Sequence, residues 1–85
     1  MKRRFEVIIT LKEGLLDPQG KAVEGSLPAM GWGNVSHVRV GKHVELTVDA
    51  GSEDTARARV EEITTRLLSN PVIEDFRVLE TEEVE

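Results

Sequence analysis

Apolar and polar positions alternate over residues 4–12. Phe5, Val7, Ile9 and Leu11 fall on one side, and Glu6, Ile8, Thr10 and Lys12 on the other. Period two predicts a strand with one apolar face; its second face is polar apart from Ile8. Lys12-Glu13-Gly14 breaks the pattern. Asp17-Pro18 then opens a helix. Aspartate at the N-cap accepts from a free backbone N–H, and proline at the first helical position lacks a donor that would be orphaned anyway. Val23, Leu27 and Met30 follow at helical spacing, with Ala22 beside them. Gly25 and Pro28 interrupt this helix. An interior proline costs roughly 3 kcal/mol and removes the bond to Glu24, so the helix kinks or ends near Leu27. A turn follows at Gly31-Trp32-Gly33.

Two further strands are predicted over residues 35–40 and 44–50. Val38 and Val40 point one way in the first, and Val44, Leu46 and Val48 in the second. A two-residue Gly41-Lys42 turn would pair Val40 with His43. A three-residue Gly41-Lys42-His43 connection pairs Val40 with Val44 and keeps apolar residues together, so a three-residue loop or bulge is expected. Ser52 caps a second helix, with Glu53 and Asp54 in the first turn where the helix dipole favours them. Ala56, Val60, Ile63 and Leu67 share its apolar face. Asn70-Pro71 stops it, and residues 72–79 form a last strand with Phe76 and Val78 facing in.

The expected fold is α+β: a two-layer sandwich of βαββαβ, ferredoxin-like order. Its mainly antiparallel four-stranded sheet carries both helices on one face. The other face would show Glu6, Ile8, Thr10, His37, Arg39, Glu45, Thr47, Arg77 and Leu79, a mixture suited to water or a polar interface. Exchange of the last strand or helix in a dimer stays open.

At 85 residues one domain spanning 1–85 is expected. It buries only about 60–65% of its unfolded surface, so a partner surface would help it. Residues 81–85 read as an acidic, frayed tail. The net charge of −5 argues against nucleic acid, whose phosphates call for Lys and Arg. Phe5, Trp32 and Phe76 do not make a base-stacking platform. No apolar run is long enough for a membrane span, and no signal-peptide core is present, so a cytoplasmic location is expected. With no cysteine, thiolate metal sites and disulfides are out.

The search for chemistry returns bland readings. His37 and His43, with Glu45 the only near carboxylate, are too few for zinc and read as exposed strand residues. Glu61-Glu62 and Glu82-Glu83 sit on a helix surface and a tail, without the cleft that separates two carboxylate pKa values. Ser26, Ser36, Ser52 and Ser69 lack a nucleophile-elbow context. The glycines form no phosphate loop. Asp17-Pro18-Gln19-Gly20 could hold an anion at a helix start, but Asp17 already supplies negative charge there. Trp32, between two glycines, reads either as a contact hot spot or as a cap on the sheet end.

Three segments together resemble the PurS family: Leu11-Lys12-Glu13-Gly14-Leu15-Leu16-Asp17-Pro18-Gln19-Gly20 with Ala22-Val23 after it, Val38-Arg39-Val40-Gly41-Lys42, and Leu67-Leu68-Ser69-Asn70-Pro71-Val72-Ile73-Glu74-Asp75-Phe76. The resemblance runs from about Phe5 to Val78. Gly25 and Pro28 depart from it, since the family keeps good helix formers there. The resemblance implies a small, non-catalytic subunit of phosphoribosylformylglycinamidine synthase in purine biosynthesis, dimeric or larger. It would bridge a large ATP-using synthetase and a glutaminase, and support ammonia transfer between them. ATP and magnesium would belong to the large subunit, and no cofactor to this chain. Shape-determining or contact positions are then expected at Asp17, Pro18, Gln19, Gly20, Gly41, Lys42, Asn70 and Pro71. Trp32 is a candidate from its position alone. Two other readings share the topology. One is a regulatory module that binds a small molecule. The other is an acylphosphatase-like enzyme, which would need an arginine where Glu13-Gly14-Leu15-Leu16 stands.

Overall fold

The computed structural model describes residues 1–84. It contains β1 (Lys2–Leu11), α1 (Pro18–Ser26), β2 (Lys42–Asp49), α2 (Glu53–Ile63) and β3 (Glu74–Val84). A 3-10 turn, Pro28–Met30, follows α1, and a π turn, Thr64–Leu68, follows α2. The strands form an antiparallel sheet in the order β2-β1-β3. Phe5 lies opposite Leu46 and Val7 opposite Val44 and Val78, so the apolar residues of all three strands share one face.

Two expectations about the sheet fail together. Residues 35–40 are not a strand among the described residues, and Gly41-Lys42 closes no hairpin; β2 pairs directly with β1. The reason lies in side chains of α1. The Val38 amide donates to Glu24 Oε1 (3.1 Å) and the Val40 amide to Asp17 Oδ2 (2.8 Å). Carboxylates thus take the amides that a neighbouring strand would have used. Among the described residues the sheet therefore has three strands rather than four, and the ferredoxin-like order is not formed. His37 and Arg39 leave the sheet surface, and His37 adopts φ +59°.

The helices divide accordingly. β2 and β3 run parallel on either side of β1, and α2 crosses between them over the apolar face. Phe5, Val7, Ile9, Ala56 and Val60 are buried there, flanked by Leu46, Phe76 and Val78. Each of the larger side chains contributes about 1.5–3 kcal/mol by burial. Arg57 of α2 donates to the Val78 carbonyl (3.3 Å). In contrast, α1 has no parallel strand to cross to and does not cover the sheet. Its expected apolar face stays open, with Val23 and Met30 exposed and only Gly20 buried. The helix ends at Ser26, as Pro28 requires, and Gly31 turns the chain at φ +95°.

The apolar stripe of α2 also shifts. Thr64 is buried while Leu67 is 77% exposed. The buried line runs Ala56, Val60, Thr64 and Leu68, because the π turn adds a residue to the last turn. The Thr64 hydroxyl donates to the Val60 carbonyl (2.8 Å), which satisfies it in the core. At the acidic end, the backbone continues in β3 through Val84, paired with Lys2 of β1. This replaces the frayed tail as far as residue 84; Glu85 lies outside the described residues.

Candidate functional site at one pole of the sheet

Most of the candidate positions meet at the end of the sheet where β1 stops and β3 begins. Asp17 caps α1 through its Oδ1, which accepts from the Gly20 amide (2.9 Å), while its Oδ2 holds Val40. These amides draw the Asp17 carboxyl below the usual carboxylate range; Gly20 acts most strongly and Val40 next. Gly20 is required because α1 rests directly on the chain it caps. A Cβ there would lie 2.3 Å from the Val38 carbonyl oxygen. Gly41 has the same constraint against β1, where a Cβ would lie 2.3 Å from the Ile9 carbonyl oxygen.

Lys42 begins β2 and reaches across the sheet end. Its Nζ donates to the Leu68 carbonyl (3.1 Å) and lies 3.9 Å from Glu74 Oε2. Glu74 in turn accepts from the Asn70 amide (2.7 Å). Asn70 builds the corner before β3. Its side chain accepts from Val72 (3.1 Å), and its carbonyl accepts from Ile73 and Glu74. The Lys12 amide donates to the Ile73 carbonyl (2.9 Å) and ties this corner to the end of β1. Asp17, Pro18, Gln19, Gly41, Lys42 and Glu74 line a cleft of about 320 Å³.

The structure thus gathers Asp17, Pro18, Gln19, Gly20, Gly41, Lys42 and Asn70 with its neighbour Pro71 at one pole. Trp32 is not among them. It is half-exposed beyond the 3-10 turn, with its amide bonded to the Leu27 carbonyl (3.0 Å). Two residues that join the pole were missed. Glu24 stands seven residues after Asp17 on the same side of α1, a spacing that was legible. Glu74 stands four after Asn70, and that pairing depends on the fold. His37 and His43 are in different segments, and His43 bonds Glu6 (2.5 Å) across β1–β2. Among the described residues no three His, Cys, Asp or Glu side chains are placed to hold a metal ion, and no helix is long and apolar enough to cross a membrane.

Such a pole can hold three connections in fixed register. Its carboxylates and ammonium are committed to backbone groups and to one another. Comparison with known proteins then decides the family. Residues 4–82 match the model of PurS, phosphoribosylformylglycinamidine (FGAM) synthase. The chain belongs to the PurS family.

Among PurS relatives, the Bacillus subtilis (strain 168) phosphoribosylformylglycinamidine synthase subunit is 44% identical over 81 residues, covering 95% of this chain and 94% of that one. A PurS structure from Bacillus subtilis superposes with a TM-score of 0.82 at 41% identity, covering 96% of this chain and all of that one. A chain in the structure of PurLQS from Thermotoga maritima gives a TM-score of 0.88 at 28% identity, covering 95% of this chain and 99% of that one. The three segments that carried the resemblance are those that converge at the pole.

Proposed function

We propose that this chain is the non-catalytic accessory subunit of a phosphoribosylformylglycinamidine synthase in purine biosynthesis. In this reading it works as a homodimer or higher homo-oligomer in the cytoplasm. It bridges the large synthetase and the glutaminase, so that ammonia released from glutamine reaches the activated amide instead of escaping to water. Its contribution is effective concentration, in the millimolar range for tightly tethered partners. ATP and magnesium act on the large subunit, and this chain brings no cofactor.

One observation carries the reading. The family segments converge on a pole whose polar side chains are spent on holding backbone: Asp17 on Gly20 and Val40, and Glu74 on Asn70. A reactive group needs lone pairs or protons to offer; these groups fix shape. The kinship with a chain of PurLQS from Thermotoga maritima supports assembly with other subunits.

Reconstitution tests it. Synthetase and glutaminase from the same organism are mixed with and without this chain, and amidine formation is assayed with glutamine or with free ammonia. Glutamine-dependent turnover and co-elution are expected only when the chain is present. Unchanged activity without complex formation would instead favour the small-molecule module, which ligand-dependent melting would detect.

A further inference from the structure

We infer that residues 17–40 form a rigid arm that swings on the sheet about two hinges, residues 13–16 and Gly41, and so opens and closes the cleft between arm and sheet.

The arm is tied to itself. Asp17 holds the amides of Gly20 (2.9 Å) and Val40 (2.8 Å), and Glu24 holds that of Val38 (3.1 Å). The Trp32 amide donates to the Leu27 carbonyl (3.0 Å). Gly20 lets α1 lie directly on the Val38 carbonyl. These bonds join α1, the 3-10 turn and the returning segment into one body. Among the described residues, the hydrogen bonds and ion pairs of 17–40 run within residues 13–40.

Little joins that body to the sheet. α2 packs on all three strands, whereas α1 packs on the 3-10 turn and on no strand to that extent. α2 buries Ala56 and Val60; the only buried residue of α1 is Gly20, and that contact lies inside the arm. Separating arm from sheet therefore exposes little apolar surface, and motions that cost little free energy are drawn from such regions.

The chain crosses between the two bodies twice, and each crossing is short. On the first, Lys12 is the last residue fixed to the sheet, by its amide on the Ile73 carbonyl (2.9 Å) and its ammonium on Asp75 (2.9 Å). Asp17 is the first fixed to the arm. Between them Leu15 and Leu16 are exposed, and Gly14 turns at φ +86° with open space around its Cβ position. The Glu13–Arg39 pair (3.2 Å) is exposed on the Glu13 side and holds weakly. On the second, Val40 is bonded to the arm and Lys42 is paired with Ile9 in the sheet, which leaves Gly41 alone. Gly41 lies so close to Ile9 and Thr10 that it forms a fulcrum on β1. A few residues at element ends are enough to absorb the backbone rotation of a hinge. The cleft of about 320 Å³ lies along this seam, with Asp17, Pro18, Gln19 and Val40 on the arm side and Thr10 and Glu74 on the sheet side. The hinge stands on these contacts alone. Within the function proposed above, it lets arm and sheet follow two protein surfaces that move relative to each other.

The test measures distances between paired spin labels, which a chain without cysteine permits. Exposed positions are used. Ser26→Cys with Glu61→Cys spans arm and sheet. Ser26→Cys with Ser36→Cys lies within the arm, and Thr47→Cys with Glu61→Cys within the sheet and its helix. Labelled chain is diluted into unlabelled chain, so that pairs within one molecule are read. The spanning pair is expected to give a distance distribution at least about twofold broader than either internal pair. Should a labelled variant melt below the unmodified chain, Lys21→Cys with Arg59→Cys replaces the spanning pair. A spanning distribution as narrow as the internal ones overturns the hinge. An arm-internal distribution as broad as the spanning one overturns the rigid arm, because residues 17–40 then loosen individually.

Discussion

At the residue scale, single atoms decide how α1 meets the rest of the chain. Gly20 and Gly41 stand where a Cβ would meet a backbone carbonyl oxygen at 2.3 Å, and backbone cannot swing aside as a side-chain tip can. Alanine at either position is expected to destabilise by about 1–3 kcal/mol. Gly25 is the internal comparison. It lies in the same helix with nothing within 4 Å of its Cβ position, so Gly25→Ala is expected to stabilise by about 0.4–1 kcal/mol. Denaturant midpoints of the three variants check both signs. Asp17 adds a pH dependence. Its folded carboxyl lies below the usual range because the Gly20 and Val40 amides favour the ionised form. That stabilisation is present above the unfolded value of about 3.9 and is lost as pH falls through the lower folded value. Melting temperatures of the wild type and Asp17→Asn should therefore differ at pH 7, with the wild type more stable, and converge only as pH falls below about 3.9. The cap and the Pro28 stop were legible because both are local backbone chemistry. The second bond of Asp17, to Val40, was not, since it spans 23 residues.

At the element scale, the phase of α2 and the absence of a fourth strand have the same kind of cause: a polar group found a partner that pattern reading does not see. Helical spacing places Leu67 in the apolar stripe, yet the π turn puts Leu68 there and turns Leu67 outward. The difference is measurable. Leu68→Ala is expected to destabilise by about 1–2 kcal/mol, consistent with its partial burial, and Leu67→Ala by less than about 0.5 kcal/mol. Equal effects would mean that a regular helix continues through Thr64–Leu68. Residues 35–40 have the alternating valines of a strand. Asp17 and Glu24 cap its amides from α1, and β1 already has neighbours on both sides. The local pattern is compatible with a strand; the competition for β1 is not a local property.

At the scale of the whole molecule, the chain is longer and thinner than its length requires. It measures 52 × 27 × 14 Å, with a radius of gyration of 16.4 Å; a compact domain of this size has about 12 Å. The excess comes from one helix-covered sheet with a bare second face, where Glu6, Ile8 and Thr10 are half-buried, and from α1 standing off the sheet. Among the described residues only Phe5, Val7, Ile9, Ala56 and Val60 form the buried apolar core, so intrinsic stability should be small for the chain length. Binding to partner subunits should then raise the melting temperature markedly, and more with higher partner concentration. Calorimetric scans with increasing amounts of synthetase and glutaminase check this. A melting temperature unmoved by saturating partners would show that the thin fold does not depend on assembly.

By itself, the sequence determined what near neighbours along the chain control. The period-two strand around Phe5–Ile9, the Asp17 and Ser52 caps, the proline stops and the three family segments are set by dihedral preference, capping and side-chain alternation. Only the tertiary structure decided which strands pair, that residues 35–40 go unpaired, that the turn after α2 buries Thr64 and half-buries Leu68, and that Asp17, Gly41, Lys42 and Asn70 share one pole. Those outcomes turn on bonds such as Asp17–Val40 and Lys42–Leu68. Their partners lie far apart along the chain, and a residue pattern carries no information about which distant amide or carbonyl will be left without a bond.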